Sequence, residues 1–294
     1  MEPAAFFQSL LSGASAGGIY ALVAIGFGVM YRTTRVFNFA QGDFGALGAY
    51  VAFTLAVTWH LPFWAVVPLA CIVVGVLAVV VERIALRPLY RHGEAYTFIA
   101  TIGLAFAIQS AIQQIWGPRP RVLPSVFGDT AVQVFGLRVV PQLAAMLVIS
   151  LALAGALYLF FTRTKIGTAM RAAAHNRRVA GLLGIPVDRI FSLAFFLGGA
   201  VGALAGILIA PIGLLTPSMG ASLGVPGFIA ALLGGLGSMP GAVIGGLLIG
   251  IVQSFAVFVV DPRYRDLVVY AAFILVMLVR PSGFFSEEFR ARRI

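Results

Sequence analysis

Long apolar runs separated by short polar connections make up almost the whole chain. In windows of about 19 residues, nine of these runs predict helices that could cross a membrane. The predicted helices cover 6–31, 37–58, 62–82, 96–116, 140–161, 190–213, 225–237, 241–260 and 266–279. The pattern predicts an all-α, polytopic transmembrane bundle forming one domain over residues 1–294, with about eight or nine spans. Because 225–237 is short for a full crossing, seven spans plus a re-entrant hairpin over 225–260 is the alternative.

Positive charge is unevenly distributed between the predicted connections. Most of the 20 basic residues lie at 32–35, 83–95, 162–189 and in the tail after residue 279, and the other connections hold few. Cytoplasmic loops of membrane proteins carry the excess of Lys and Arg. The N-terminus is therefore predicted to lie outside and the C-terminus in the cytoplasm.

Composition excludes several classes of function. The chain is 61% hydrophobic and 10% charged, far from the balance of a soluble domain. The net charge of +10 is explained as a topology signal, so no nucleic acid partner is expected. The sequence lacks the motifs of metal, phosphate-loop or cysteine chemistry. We therefore expect no catalytic residue, no metal site and no cofactor.

Glycine indicates how the helices associate. Many of the 34 glycines recur at four-residue spacing, which permits close approach of helices in lipid. A weak internal echo links 17–22 with 198–204 and suggests a repeat. The pairs and triplets with this spacing are Gly13 and Gly17, Gly198, Gly202 and Gly206, Gly241 and Gly245, and Gly246 and Gly250.

Polar residues inside the predicted spans are candidates for a solute path, since they are costly in lipid. At 100° per residue the second span presents a strip of small and polar residues, with Asp43 pointing away from it. Asp43 could pair with a neighbouring arginine or serve a coupling ion. The glutamines could line the path or form interhelical hydrogen bonds. The predicted pathway residues are Asn38, Gln41, Gly45, Gly48, Gln109, Gln113 and Gln253.

The basic connection 162–189 predicts a surface helix over 168–183 that ends at Gly184. Its basic face could bind anionic lipid headgroups or dock a cytoplasmic protein. Its alanine-rich centre favours protein docking. The basic face consists of Arg171, His175 and Arg178, and Asn176 is the fourth predicted docking residue.

Several stretches together resemble one family of membrane proteins. They are 18–22 with Asn-Phe-Ala-Gln-Gly-Asp at 38–43, Glu-Arg-Ile-Ala-Leu-Arg-Pro-Leu at 82–89, 167–185, and 230–242 with Gly-Gly-Leu-Gly-Ser-Met-Pro-Gly at 234–241. In order and spacing these resemble the permease subunit of branched-chain amino acid ABC importers of the Liv type, in the hydrophobic amino acid uptake family. The chain departs from the family's common Asn-Phe-Ala-His-Gly-Glu form at Gln41 and Asp43.

The resemblance implies a bacterial inner-membrane importer that works by ATP-driven alternating access. It implies a second paralogous permease subunit, two cytoplasmic ABC ATPase subunits and an extracytoplasmic substrate-binding protein. The expected cargo is a branched-chain or related hydrophobic amino acid, or a small amide-like or organic-acid solute. The family signature in the last stretch implies an ATPase contact, in addition to 168–183. Its residues are Ala230, Ala231, Gly234, Gly235, Gly237, Ser238, Pro240 and Gly241.

The main alternative is an ion-coupled secondary transporter, which would need a midplane carboxylate. Asp43 is the candidate for that group. An intramembrane serine protease and a passive channel are weaker alternatives. The protease is disfavoured because Ser15 lies in a small-residue stripe with no base nearby in the sequence.

Overall fold

The computed structural model describes residues 3–125, 127–128, 132–134, 137–259, 262–280 and 283–285. This part of the chain is a helical bundle. The helices are α1 (Pro3–Thr34), α2 (Gln41–Phe53), α3 (Phe63–Val81), α4 (Glu94–Trp116), α5 (Pro141–Arg163), α6 (Lys165–His175), α7 (Arg177–Leu182), α8 (Val187–Ile209), α9 (Met219–Gly234), α10 (Met239–Val259) and α11 (Arg265–Val279). A π-helical turn over Thr54–Thr58 extends α2, and a further π turn and a 3₁₀ turn extend α3 to Arg91.

The core is built around α1 and α8. Helix α1 packs on α10, α8, α5 and α9, and α2 packs on α8 and α9. Large aliphatic side chains of α1 such as Ile19, Leu22 and Ile25 are fully buried. Their neighbours across the helix interfaces are largely glycine and alanine, which bring the backbones close together. The outer faces of α3, α4 and α5 carry exposed apolar side chains, as helices facing lipid do.

The connections sort onto two ends of the bundle. At one end Arg32 of α1 donates to the carbonyl of Gly237 at 3.2 Å, and Arg87 donates to the carbonyl of Asp188 at 3.1 Å. This brings together the connections predicted to be cytoplasmic. At the other end Arg121 and Leu215 exchange backbone hydrogen bonds of 3.0 and 2.9 Å. The grouping agrees with the predicted topology.

Six helices within the described ranges are long and apolar enough to cross a membrane. The three other predicted spans correspond to shorter helices, with 13 residues in α2, 16 in α9 and 15 in α11. Within the described residues the prediction of a polytopic helical bundle is confirmed. The structure also contains one short element that was not predicted, an antiparallel β-hairpin of β1 (Val132–Val134) and β2 (Leu137–Val139) between α4 and α5.

The predicted helix boundaries differ from those of the structure, most clearly at α2 and at the run 225–237. Helix α2 begins at Gln41 rather than at 37, because the Asn38 side chain accepts a hydrogen bond from Ala40 N at 3.2 Å in an irregular segment. The run at 225–237 begins earlier, at Met219, and ends at Gly234 because Gly235 and Gly237 have φ near +85°. The predicted end of the eighth span, residue 260, lies outside the described residues.

The single surface helix predicted over 168–183 is wrong. The backbone breaks at Asn176, which has φ −153° and ψ 105°, and two helices result. The Asn176 carboxamide oxygen accepts from Val179 N at 3.1 Å and so caps α7. Basic side chains on either side of the break therefore belong to two different helices.

Helices α1–α2 and α8–α9 share one arrangement. In each pair a long helix is followed by an irregular segment and then by a short helix. The N-terminal ends of the two short helices meet, since a Cβ on Gly42 would contact Gly220 and Gly224. The weak sequence echo between 17–22 and 198–204 lies in the two long helices.

Candidate functional site

The predicted α2 strip lies inside the bundle. Gln41 is fully buried and its Nε2 donates to the carbonyl of Gly198 at 2.9 Å. A Cβ on Gly45 would lie 3.1 Å from the carbonyl oxygen of Gly202, and one on Gly48 would overlap Ala203. In this conformation the strip is therefore a closed contact between α2 and α8.

Asn38 is buried beside this contact and lies outside the helix. Its Nδ2 is 3.3 Å from the sulfur of Met30. Asp43 accepts a hydrogen bond from Gln109 Nε2 at 3.0 Å. The structure thus gives Asp43 an amide partner on α4 rather than the arginine considered from the sequence. Gln113, one turn further along α4, is exposed.

Gln253 belongs to a polar cluster that joins α1, α10 and α11. In the amide orientation that satisfies both of its polar atoms, its nitrogen donates to the Tyr20 hydroxyl at 2.5 Å. Its oxygen then accepts from Arg265 Nε at 2.6 Å and from Nη2 at 2.9 Å. Arg265 Nη2 also lies 3.3 Å from the Tyr20 hydroxyl, and Asp266 follows at 3.8 Å from Arg265 Nε.

Sequence reasoning missed Tyr20, Arg265 and Asp266 as members of this cluster. Arg265 counted only as one of the few basic residues in a predicted outer connection. Its separation from Tyr20 is 245 residues, so no local spacing connects them. The signal that was available was the placement of Gln253 within an apolar span.

The predicted docking side chains of α6 and α7 lie on the end that carries the basic connections. His175, Asn176 and Arg178 are exposed, whereas Arg171 is half-buried and donates to the Thr168 hydroxyl at 3.2 Å. Beside α7 lies an open cavity of about 930 Å³ with a strongly basic lining. Its charged lining residues are Arg83, Arg87, Arg177, Arg178, Arg189 and Asp188.

An ion pair between buried Glu82 and the partly exposed cavity residue Arg87 was not predicted as part of a site. Glu82 is fully buried and accepts from Arg87 at 3.0 and 2.9 Å. The Ser192 hydroxyl, which lies 2.8 Å from Arg87 Nη2, donates to Glu82 at 2.9 Å. The guanidinium of Arg177 lies 4.2 Å from the ring centre of Phe191. These contacts fix the start of α8 against the end of α3.

The signature stretch forms the turn between α9 and α10. Ala230 and Ala231 are buried, and Gly234 and Gly241 approach so closely that a Cβ on either would meet the other's backbone. Of the predicted docking residues in this stretch, Pro240 is exposed. The buried members shape the turn and present no surface of their own in this conformation.

The turn and α6 share a second cavity of about 250 Å³. Arg171 and His175 line it from α6, Arg32 and Arg35 line it from the end of α1, and Gly237 lines it from the turn. Gly241 N donates to the Ser238 hydroxyl at 3.2 Å, which begins α10. The two regions predicted to contact an ATPase are therefore neighbours.

In the part of the chain that the structure describes, no three His, Cys, Asp or Glu side chains converge as a metal site would require.

Comparison with known proteins connects these features to one family. Residues 9–277 match the family model described as the branched-chain amino acid transport system permease component. The permease protein LivH of Escherichia coli K12 is 33% identical over 95% of this chain and 94% of its own length. BraD of Pseudomonas aeruginosa, from a transport system of the same description, is 33% identical over 95% of both chains.

A second permease of the Escherichia coli system, LivM, is also similar. It is 26% identical over 90% of this chain and 67% of its own length. Several helices of this chain are long and apolar enough to cross a membrane, and the family model matches most of its length. The chain is therefore a multi-pass membrane protein that belongs to the family of branched-chain amino acid transport system permease components.

Proposed function

We propose that this chain is the membrane-spanning permease subunit of an ATP-driven importer in the bacterial inner membrane. Its cargo would be a branched-chain or related hydrophobic amino acid, the class named for its relatives LivH and BraD. A second permease, two cytoplasmic ATPase subunits and an extracytoplasmic binding protein would complete the system. Alternating access would be driven by nucleotide-dependent movement of the ATPases.

The observation that carries this proposal is the convergence of α6, α7 and the α9–α10 turn on one basic surface. Helix α6 lies against the end of α1 and contacts α7, and Arg32 of α1 holds the turn by its bond to Gly237. A partner that moves α6 would therefore push on α1, which packs on four other helices of the core. Such a lever can transmit force from the cytoplasm into the bundle.

The charge of this surface defines the partner segment. Two cavities with arginine-rich linings flank α6 and α7. Complementary surfaces of protein partners pair positive with negative potential. We therefore expect the ATPase segment seated here to be acidic. Exposed Leu182 and Leu183 at the end of α7 would add apolar contact.

The test compares charge reversals in the complete importer reconstituted in liposomes. Arg171→Glu with Arg178→Glu should reduce ATPase co-purification or separate ATP hydrolysis from leucine uptake. Arg163→Glu with Lys165→Glu is the matched control, because it makes the same charge change at exposed positions on the same end. Unchanged coupling in the first pair would leave only a lipid-headgroup role for this face.

The same vesicles distinguish the ion-coupled alternative. Uptake by this chain alone that follows an ion gradient and ignores ATP would replace the present proposal. Uptake that needs ATP, the ATPases and the binding protein supports it.

A further inference from the structure

The cluster of Tyr20, Gln253, Arg265 and Asp266 combines buried and exposed polar groups. Tyr20 and Gln253 are 2% and 4% exposed. The side chains of Arg265 and Asp266, by contrast, are 45% and 68% exposed. The two buried, neutral side chains thus contact one side of the Arg265 guanidinium. The other side of the guanidinium and the Asp266 carboxylate are exposed.

This cluster lies within the depth of the bilayer. Gln253 is 14 residues after Met239, and Arg265 is 14 residues before Val279, so both lie about 21 Å from the helix ends at 1.5 Å per residue. Those ends are on the same side, because Phe284 N after α11 donates to the Leu233 carbonyl before the turn at 2.8 Å. With these helix ends taken as the cytoplasmic boundary of the hydrocarbon core, which is about 30 Å thick, the charge pair falls in its outer half.

An exposed charge pair at this depth cannot face lipid at low cost. Charged side chains within membranes face the bundle interior or a water-filled cavity, and they mark substrate pathways. Arg265 does not extend to the interface, since its guanidinium is turned toward Gln253 and Tyr20. The face formed by α1, α10 and α11 must therefore be covered by water or by a polar surface.

The chemistry of the pair matches a zwitterion. Within the described residues, Nε and Nη2 of Arg265 contact Gln253, and Nη1 has no hydrogen-bond acceptor. A free guanidinium edge suits a carboxylate, and a neighbouring carboxylate suits an ammonium group. Exposed Tyr270, one turn after Asp266 on the same helix, offers apolar ring surface beside the carboxylate.

We propose that this cluster is a subsite of the solute path, in which Arg265 binds the α-carboxylate of the amino acid and Asp266 its α-ammonium group. The inference rests on the proposed import function. Tyr20 and Gln253 are positioning residues that hold the guanidinium in place. The path then runs along the α1–α10–α11 face, where a second permease would complete its wall.

Water access is measured first, in the complete importer in nanodiscs. Tyr270→Cys in a Cys71→Ser background should react with a membrane-impermeant, cationic methanethiosulfonate, because that reagent needs a water-filled approach. Ile72→Cys on α3 is the control, since it is 51% exposed on a face expected to contact lipid. Absence of reaction at position 270 would overturn the proposal. Slower reaction in the presence of binding protein, leucine and ATP supports it.

Transport is measured next. Arg265→Gln should lower the maximal rate of leucine uptake about tenfold or more, the effect of one lost charge-assisted hydrogen bond. Arg265→Lys should retain part of the rate, and Arg263→Gln, which removes the same charge two residues away, should stay near wild type. Wild-type uptake in Arg265→Gln would overturn the subsite.

The effect of leucine on cysteine labelling distinguishes solute binding by Arg265 from a purely structural role of Arg265. Leucine should protect Tyr270→Cys when Arg265 is present and should fail to protect it in Arg265→Gln. If Arg265→Gln does not assemble, the test is whether leucine protects the cysteine in the protein that retains Arg265. Lack of protection there refutes the subsite. If wild-type uptake needs no ATP, the proposed function fails, while the labelling result still supports or refutes the zwitterion site.

Discussion

Replacement of Gly17 by alanine tests whether glycine contacts hold α1 against α10. A Cβ at Gly17 would lie 2.7 Å from Leu247 Cα and 2.8 Å from the Gly246 carbonyl oxygen, both of them backbone atoms. Ordinary contacts of a Cβ begin at 3.4 Å, so the helices must separate by about 0.7 Å. Overpacking of this kind costs about 1–3 kcal/mol.

Gly155→Ala in α5 is the matched control, because a Cβ there meets nothing within 4 Å. Both substitutions gain the same helix propensity, about 1 kcal/mol, so the difference between them isolates the packing cost. Unfolding of the purified chain by SDS in mixed micelles would measure both. We expect Gly17→Ala to be less stable than Gly155→Ala by about 1–3 kcal/mol. Equal midpoints would refute the close contact between α1 and α10.

Three further substitutions address the other contacts. Glu82→Ala should destabilise the chain by about 2 kcal/mol in the same assay, because Arg87 and the Ser192 hydroxyl lose the carboxylate that accepts their hydrogen bonds; a change under about 1 kcal/mol would contradict this. Asp43→Asn should keep uptake and stability near wild type, because an amide oxygen can still accept from Gln109, whereas loss of uptake would favour ion coupling. Asn176→Ala should cost about 1 kcal/mol of local stability and speed amide exchange in α7, which loses its cap; unchanged exchange would argue against that cap.

Local sequence pattern predicted the features that depend on single helices. The four-residue spacing of Gly13 and Gly17, and of Gly246 and Gly250, predicted close helix contacts, and these residues do form the α1–α10 crossing. The break at Asn176 could also have been predicted, because asparagine is a preferred N-cap residue. Its alanine-rich surroundings favoured one continuous helix instead.

Features that depend on which helices meet could not be predicted in this way. The strip on α2 has the composition of a path, but small residues serve close packing equally well, and α8 covers them. Arg265 meets Tyr20 only because α10 packs against α1 and α11 folds back against α10. A single sequence contains no record of that pairing.

Gln41→Leu can decide whether the α2 strip also contacts the solute when the bundle opens. Leucine fills a similar volume and removes both the bond from Nε2 to Gly198 and an Oε1 atom that has no partner among the described residues. Because the lost bond and the relieved buried acceptor offset each other, stability should change by less than about 1 kcal/mol.

Ser150→Ala is the control for Gln41→Leu, since it removes another buried oxygen, away from α2, that has no hydrogen-bond partner in the described part of the chain. A fall in leucine uptake in Gln41→Leu at unchanged stability, with Ser150→Ala normal, would mean that the amide is needed in a second conformation in which α2 and α8 separate. Full uptake would restrict the strip to packing. The α1–α10–α11 face would then be the better candidate for the path, because its polar groups already reach the surface of the chain.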